Sequence, residues 1–173
     1  MISKDLIYID ELTGHYNRRG FRESVEQILP LAKPFYLILT DLDHFKDIND
    51  TYGHLSGDST LKEFAQVLER GLQNTDAVIA RYGGDEFVVI LKNCDRQNVS
   101  AICDTIRQNV ANKEFILSDS KKSLRLTVSI GIAEFPQDGL TQEELFGKAD
   151  EALYSSKQLG RNKLTFAKKL FLG

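Results

Sequence analysis

The chain has 173 residues, of which 42% are hydrophobic and 27% are charged, and its formal net charge is −3. This length fits one globular domain with a sizeable core, and the small negative charge gives no general attraction to nucleic acid. No apolar run approaches the roughly 18 residues of a membrane span and no signal peptide opens the chain, so we expect a cytoplasmic protein without direct membrane contact. Cys94 and Cys103 are too few for a disulfide framework or a metal knuckle, and we expect ordinary thiols.

The first half of the chain is predicted to contain three helices and one strand after a short lead-in segment. Helical spacing of apolar residues, together with capping and terminating residues, supports this prediction. The predicted elements are a lead-in helix or linker over residues 2–11, a helix capped by Asn17 that runs to about Leu31, a strand over 35–41, a short helix over about 43–51 that ends at Gly53, and a helix that begins at Gly57-Asp58.

The second half is predicted to contribute a hairpin, two helices and two further strands. Gly83-Gly84, between apolar runs at about 77–82 and 86–91, is a tight-turn signal. Apolar residues alternate along 124–134, which is typical of a strand. The remaining predicted elements are a helix from Asp95 to about 111, a helix from a capping box at Thr141 to about Gly160, and a strand over 163–167.

This order of elements predicts an α/β (α+β) fold, with a mostly antiparallel sheet flanked by helices. The pattern β-α-α-β-β-α-β fits a ferredoxin-like or polymerase-palm arrangement better than a Rossmann fold. No Gly-x-Gly-x-x-Gly or phosphate-loop motif is present in the sequence.

One acidic cluster lies at the end of a predicted strand and another at the tip of the predicted hairpin, so the two are able to come together in the fold. Asp41 ends the apolar strand 35–41, and Asp85 and Glu86 lie at the predicted hairpin tip. Carboxylates that converge repel each other unless a cation lies between them, and Mg²⁺ prefers oxygen ligands. We therefore consider Asp41, Asp85, Glu86 and the Leu42 carbonyl as candidate metal ligands, which indicates phosphoryl or nucleotidyl chemistry. The alternative interpretation is a set of unrelated surface acids.

The segment after the first strand carries polar residues suited to a nucleotide. Lys46 lies one helical turn beyond the acidic strand end, within reach of a metal-bound phosphate. Asn49 and Asp58 offer the amide and carboxylate groups that match the edge of guanine. Phe45 is a helical anchor of the core by its spacing, and His54 shows no metal-ligand pairing. Each polar residue here has an alternative interpretation as an ordinary surface or helix-terminal residue.

Lys157 and Arg161 are spaced i,i+4 near the end of the last predicted helix. Cations are favourable at a helix C-terminus because of the helix dipole, so a purely structural role is one interpretation. The functional interpretation is a clamp on the β- and γ-phosphates of a nucleotide.

Four blocks of sequence together resemble the GGDEF family, the diguanylate cyclases. The resemblance covers roughly residues 8–167, with the blocks in the order found in the family. The blocks are Asp10-x-Leu12-Thr13-Gly14 with Asn17-Arg18-Arg19, Asp41-Leu42-Asp43-His44-Phe45-Lys46 continuing to Gly57-Asp58, Arg81-Tyr82-Gly83-Gly84-Asp85-Glu86-Phe87, and Lys157-x-x-Gly160-Arg161-Asn162.

The resemblance implies a palm-like fold and condensation of two GTP into cyclic di-GMP with release of two pyrophosphates. It implies a domain over 12–167, preceded by a lead-in at 1–11 and followed by a tail at 168–173, and a Mg²⁺ (or Mn²⁺) cofactor. The implied metal ligands are Asp41, Leu42, Asp85 and Glu86; the catalytic residues are Lys46, Asp85 and Glu86; the substrate-binding residues are Phe45, Asn49, His54, Asp58, Gly83, Gly84, Lys157 and Arg161.

The implied reaction joins two GTP molecules, so it implies a homodimer, which we expect to be transient for this chain, and sensor or output domains in a longer protein. Many family members carry an Arg-x-x-Asp product site before the hairpin, but here Gln73 stands three residues before Asp76. The alternatives are a catalytically silent module that binds GTP or cyclic di-GMP, and a palm-fold enzyme acting on another nucleotide.

Overall fold

The computed structural model describes residues 7–118 and 122–168. Within these ranges the structure contains five α-helices, seven strands and a 3-10 helix at Leu29–Leu31, besides a 3-10 turn at residues 7–8. In chain order they are α1 (Arg18–Ile28), β1 (Phe35–Leu42), α2 (Phe45–Tyr52), α3 (His54–Leu72), β2 (Asp76–Gly83), β3 (Glu86–Lys92), α4 (Arg96–Asn112), β4 (Phe115–Ile116), β5 (Ser123–Leu124), β6 (Val128–Phe135), α5 (Gln142–Gln158) and β7 (Leu164–Phe166).

Five of the strands form one sheet in the order β2-β3-β1-β6-β7. Its neighbouring pairs are antiparallel, except for the parallel pair β6–β7 at one edge. The predicted fold class, a mostly antiparallel sheet flanked by helices with a β2–β3 hairpin, is therefore confirmed. β1 lies in the centre of the sheet, so its C-terminal end is enclosed by β3 on one side and β6 on the other.

Helices cover both faces of the sheet and create two hydrophobic cores. Alternate residues of β1 supply both cores, because successive side chains of a strand point to opposite faces. Leu37 and Leu39 pack with α1 and α5, whereas Tyr36 and Ile38 pack with α2, α3 and α4. The last residues of β1 therefore lie between two packed helical layers, which hold them in place.

The predicted start of α3 at Gly57-Asp58 is wrong, because α3 begins at His54. A single residue, Gly53, separates it from α2, and its φ of +83° is in the region that favours glycine. This conformation turns the chain sharply enough for a second helix to begin at once. The predicted end of α2 at Gly53 is confirmed, and Asp58 lies in the second turn of α3 rather than at its N-terminus.

Residues 7–11 form no α-helix, so the helical alternative of the predicted lead-in helix or linker is not observed there. Tyr8 lies in a 3-10 turn and Ile9 forms an isolated bridge with Tyr16, which in turn bridges Ala80 of β2. The chain before α1 therefore docks on the hairpin instead of extending away from it. The rest of the predicted segment, residues 2–6, lies outside the described residues, as do residues 169–173 of the predicted tail.

The predicted continuous strand over 124–134 is interrupted. Leu124 belongs to a two-stranded sheet with β4, which was not predicted, and β6 begins at Val128. Between them, Thr127 is bonded to the loop after β1, since its carbonyl accepts from the Asp43 amide at 2.9 Å. The predicted common face is confirmed nonetheless, because Leu126, Val128 and the alternating residues of β6 join one core.

The helix caps that the sequence predicted are present. The side chains of Asn17, Asp95 and Thr141 each accept a hydrogen bond from the first turn of their helix, and Glu144 completes the capping box of α5. Within the described residues, none of the helices combines the length and the apolar character needed to cross a membrane.

Candidate active site

Three carboxylates meet where β1 ends beside the β2–β3 hairpin. Asp41 of β1 lies directly opposite Glu86 of β3. Gly84 and Asp85 form the turn between β2 and β3, and Gly84 has a φ of +52°, which favours glycine. The two acidic clusters of the sequence therefore lie together where the central strand β1 ends beside the hairpin.

The Asp85 carboxyl titrates near neutral pH. Burial raises its pKa to about 7, and Asp41 adds to this rise through a hydrogen bond and through its like charge. A backbone hydrogen bond and the Lys157 ammonium group lower the pKa, but less strongly. Two carboxyl groups so close together cannot both hold a negative charge at low cost unless a cation joins them.

Glu86 lies in the same acidic environment. Burial raises the pKa of Glu86, and the negative charges of Asp41 and Asp150 raise it further. Lys157 and Arg18 lower this pKa. A carboxylate whose proton affinity is increased in this way is a better proton acceptor than an exposed one.

The donor set fits a hard divalent cation that is bound together with a substrate. In residues 7–118 and 122–168, no three side chains of His, Cys, Asp or Glu form a group able to hold a metal. The Asp41 and Asp85 carboxyl groups, which share a hydrogen bond, offer a pair of oxygen donors. The Leu42 carbonyl lies next to Asp41 at the end of β1. Mg²⁺ is usually held by one or two carboxylates plus waters and substrate phosphates, so this set fits it. The role of Glu86 as a metal ligand remains a prediction.

The predicted guanine-reading residues lie where α2 meets α3. A methyl group on Gly57 would come within 1.9 Å of Asn49 Oδ1, so Asn49 lies directly over this glycine, and Asp58 is the next residue of α3. Both side chains are partly exposed. Phe45 packs beneath the same glycine and is only 7% exposed, as its helical spacing indicated. An amide-bearing and a carboxylate-bearing residue therefore lie near each other where the two helices join.

The other predicted substrate-binding or catalytic side chains lie on α2, on α3 and at the end of α5. Lys46, in the first turn of α2, and His54, the first residue of α3, both have exposed side chains. Lys157 of α5 contacts the Asp41 carboxylate, so it lies at the carboxylates themselves. Arg161 is exposed beyond the end of α5, in a left-handed conformation with φ of +61°. The structure therefore brings Lys157 to the carboxylates and leaves Lys46, His54 and Arg161 free to meet a ligand.

Asp43 holds the loop after β1 but was not predicted as a site residue. Its carboxylate is buried and accepts hydrogen bonds from Thr127 Oγ1 at 2.6 Å, Ser129 Oγ at 2.7 Å and the Asn162 amide at 3.0 Å. Asn162 directly follows Arg161. This network therefore fixes the segment that carries Lys46 against the segment that carries Arg161.

Arg81 links the hairpin turn to the chain before α1. Its Nε donates to the Gly84 carbonyl at 2.9 Å, and a terminal nitrogen of its guanidinium group contacts Asp10 at 3.2 Å. Asp10 also accepts from the Thr13 amide and hydroxyl at 3.0 and 2.8 Å. The turn that presents Asp85 is thus attached to a structured segment rather than projecting freely. Sequence reasoning gave Arg81 no role, although it lies directly before the glycine pair.

Comparison with known proteins gives one consistent result. The family model described as "Diguanylate cyclase, GGDEF domain" matches residues 7–163. The chain is 42% identical over 132 residues to Diguanylate cyclase A of Treponema denticola, covering 76% of this chain and 35% of that protein. It is 40% identical over 167 residues to the uncharacterized protein YhcK of Bacillus subtilis, covering 94% of this chain and 46% of that protein. The chain thus spans less than half the length of these relatives.

Solved structures give the same answer at the level of the fold. The GGDEF domain of DgcB from Caulobacter crescentus, solved in complex with c-di-GMP, superposes with a TM-score of 0.87 at 33% identity. The match covers 97% of both chains. The likeness therefore extends over the sheet, both helical layers and the hairpin.

Proposed function

This chain belongs to the GGDEF family of diguanylate cyclases, and we propose that it condenses two GTP molecules into cyclic di-GMP with release of two pyrophosphates. The observation that carries the proposal is the pairing of Asp41 with Asp85, where a buried strand ends beside a glycine hairpin. Asn49 and Asp58 lie where the two helices that follow the same strand meet. Metal-binding groups and base-reading groups are thus both available to one nucleotide.

The carboxylates are proposed to hold the cofactor and to accept a proton. Asp41, Asp85 and the Leu42 carbonyl would bind Mg²⁺ or Mn²⁺, which would lower the pKa of the attacking 3′-hydroxyl and neutralise phosphate charge. Glu86, whose pKa is raised by burial, or Asp85 accepts the proton of that hydroxyl. Deprotonated carboxylates are needed for both roles, so the binding of the cation and the loss of the Asp85 proton are coupled.

The cations and the base-reading groups are proposed to orient GTP. Lys46, Lys157 and Arg161 contact the phosphates, and Lys157 exchanges its contact with Asp41 for one with the substrate. Asn49 and Asp58 bind the guanine, with Phe45 and His54 beside them. Gly83 and Gly84 carry no side chain that would keep the hairpin backbone away from the phosphates. Positioning and electrostatics dominate phosphoryl transfer, so this set is sufficient for the chemistry.

Two copies of the domain are proposed to face each other about a two-fold axis, each with one GTP. The 3′-hydroxyl of each nucleotide then attacks the α-phosphorus of the other. The activity would be regulated by whatever brings two copies of the domain together. We propose that sensor or output domains belong to the remainder of a longer, cytoplasmic signalling protein. No nucleic acid takes part in this scheme.

The decisive experiment is incubation of the purified protein with GTP and Mg²⁺, followed by identification of the product by mass. Asp85→Ala and Asp41→Asn are expected to lower the rate by about 10³-fold or more, because each removes one of the two carboxylate donors. Thermal unfolding shows whether each variant keeps its fold. Glu26→Ala, which removes an exposed carboxylate from α1, is the matched control and is expected to retain the wild-type rate.

Two results would contradict the proposal. Near-normal turnover by Asp85→Ala would exclude the two-carboxylate mechanism. A wild-type protein that binds GTP but forms no product at any concentration would instead support the silent regulatory module.

A further inference from the structure

A second candidate binding site lies on the opposite face of the sheet from Asn49 and Asp58. It is a groove of about 700 Å³ between the N-terminal turns of α1 and α5, next to the last residues of β2. We call it the arginine groove. The side chains that define its chemistry are Arg18, Arg19, Arg22, Tyr82, Glu143 and Phe146.

The arginine groove carries more positive than negative charge. Three arginines line it, and Glu143 is the acidic residue among its lining side chains. The Arg18 guanidinium carbon lies 4.6 Å from the centre of the Tyr82 ring, which holds this group in place. Arg22 lies one helical turn further along, is exposed, and forms no hydrogen bond or ion pair with the described part of the chain. Two guanidinium groups are therefore available on one face of α1 for an anion.

Aromatic side chains form the other wall of the arginine groove. The rings of Tyr82 and Phe146 lie 4.5 Å apart at an angle of 35°, and both residues are partly exposed. A groove that pairs arginines with aromatic rings suits a ligand with a charged and a planar part. Guanidinium groups bind phosphate oxygens in a bidentate manner, and both guanidinium planes and aromatic rings stack on nucleobases.

We propose that the arginine groove binds a nucleoside phosphate at a site separate from the catalytic one. The phosphate contacts Arg18 and Arg22, and the base lies against the exposed part of Phe146, because Arg18 and Phe146 already pack on the Tyr82 ring. Either a mononucleotide such as GTP or a cyclic dinucleotide presents this chemistry. Tyr82 is the residue before the glycine pair of the hairpin, so an occupied groove would adjoin the turn that presents Asp85.

The test uses the full chain carrying Asn49→Ala and Asp58→Ala, with EDTA present, so that binding at the catalytic site and turnover are both suppressed. Calorimetry then measures binding of GTP, cyclic di-GMP and inorganic pyrophosphate. Arg22→Ala is expected to weaken binding of one of the two nucleotides about tenfold, since a charge-assisted contact is lost. Arg70→Ala, which removes an exposed arginine from α3, is the matched control and is expected to change nothing. Phe146→Leu is expected to weaken nucleotide binding while leaving pyrophosphate binding unchanged.

The relative affinity of GTP and cyclic di-GMP identifies which nucleotide the groove prefers, and either preference supports the proposal. Three results would overturn it: no binding of either nucleotide at millimolar concentration, equal effects of Arg22→Ala and Arg70→Ala, or pyrophosphate binding as tight as nucleotide binding. These measurements do not involve turnover. Failure of this site is therefore distinguishable from failure of the cyclase proposal, which the GTP assay on the unmodified chain tests.

Discussion

The raised pKa of Asp85 makes the stability of the folded protein depend on pH. Because burial and Asp41 raise its pKa from 3.8 to about 7, the metal-free folded protein binds more protons than the unfolded chain between these pH values. The free energy of unfolding therefore falls as pH rises through this window, since stability rises with pH only where the unfolded state binds more protons.

The first prediction concerns the contribution of Asp85 to the pH dependence of stability. In EDTA, Asp85→Asn is expected to remove part of the decline in the free energy of unfolding between pH 4 and pH 7, because the amide does not titrate. Urea denaturation at several pH values measures this slope. Asp76→Asn, at the exposed far end of the same hairpin, is the control and is expected to leave the decline in place. An Asp85→Asn slope equal to that of the wild type would show that Asp85 does not titrate in this window.

A second prediction concerns the choice of base. If Asn49 and Asp58 bind guanine, GTP is expected to be preferred over ATP by about 10³-fold or more in kcat/KM, because adenine leaves the polar groups of Asn49 and Asp58 unpaired in the complex. Asp58→Ala is expected to raise KM for GTP with little effect on thermal stability. Glu69→Ala removes an exposed carboxylate from the same helix and is expected to change neither quantity. Equal use of ATP and GTP by the wild type would refute the assignment.

The places of Asp41 and Asp85 in the fold could be predicted from the sequence and that of Asp43 could not, for a physical reason. Asp41 and Asp85 follow or interrupt apolar runs, so local pattern alone indicates that they lie at the ends of strands. Asp43 was not predicted because the residues that bind it lie 84, 86 and 119 positions further along the chain. Arg81 likewise contacts Asp10, 71 residues away, and neither contact leaves a periodic signal in the sequence.

The boundaries of helices and strands were predicted correctly where a capping or turn residue marks them. Asn17, Asp95 and Thr141 each mark a helix start by a local hydrogen bond, which sequence pattern detects. The start of α3 was missed because Gly53 connects two helices without a loop, so no polar stretch separates them. The break before β6 was missed because Leu126 keeps its buried position although its segment leaves the sheet.

The close approach of α2 and α3 gives a third prediction. Gly57→Ala places a methyl group within 1.9 Å of Asn49 Oδ1, so the Asn49 side chain must move. KM for GTP is expected to rise about tenfold if Asn49 reads the base, because a hydrogen bond to the substrate is lost. Steady-state kinetics with GTP measures this change.

Gly147→Ala is the matched control for this substitution. A methyl group there meets no atom within 4 Å, and the position is helical in α5. Replacing glycine by alanine in a helix stabilises by roughly 0.5–1 kcal/mol, so this variant is expected to gain stability with unchanged KM. Unchanged KM in Gly57→Ala would show that the position of Asn49 does not govern GTP binding.

At the scale of the whole molecule, the order of strands and helices was sufficient to predict the fold class. Short-range pattern indicates the β2–β3 hairpin, whereas the order of the five strands was not predicted. The two-sided packing of β1 also has a sequence signal, because its apolar run is continuous rather than alternating. What the pattern does not contain is the pairing of β6 with β1, which brings Thr127 and Ser129 to Asp43.

The last prediction follows from the two-fold arrangement of the proposed reaction. Each facing site carries Asp41, Asp85 and Glu86 as well as an anionic nucleotide, so two copies repel each other unless cations intervene. Among the described residues, those before α1 form a turn and a bridge rather than a helix able to pair two copies. Specific activity is therefore expected to rise with enzyme concentration.

Fusion of a dimeric coiled coil to the N-terminus is expected to raise specific activity at nanomolar enzyme, because tethering gives each domain a local concentration on the order of millimolar. The same fusion with charged residues at the apolar heptad positions stays monomeric and is the control. Product formation per enzyme, measured from nanomolar to high micromolar protein, decides the matter. A flat profile for the unfused chain would mean that the dimer is already tight, or that one copy completes the reaction alone.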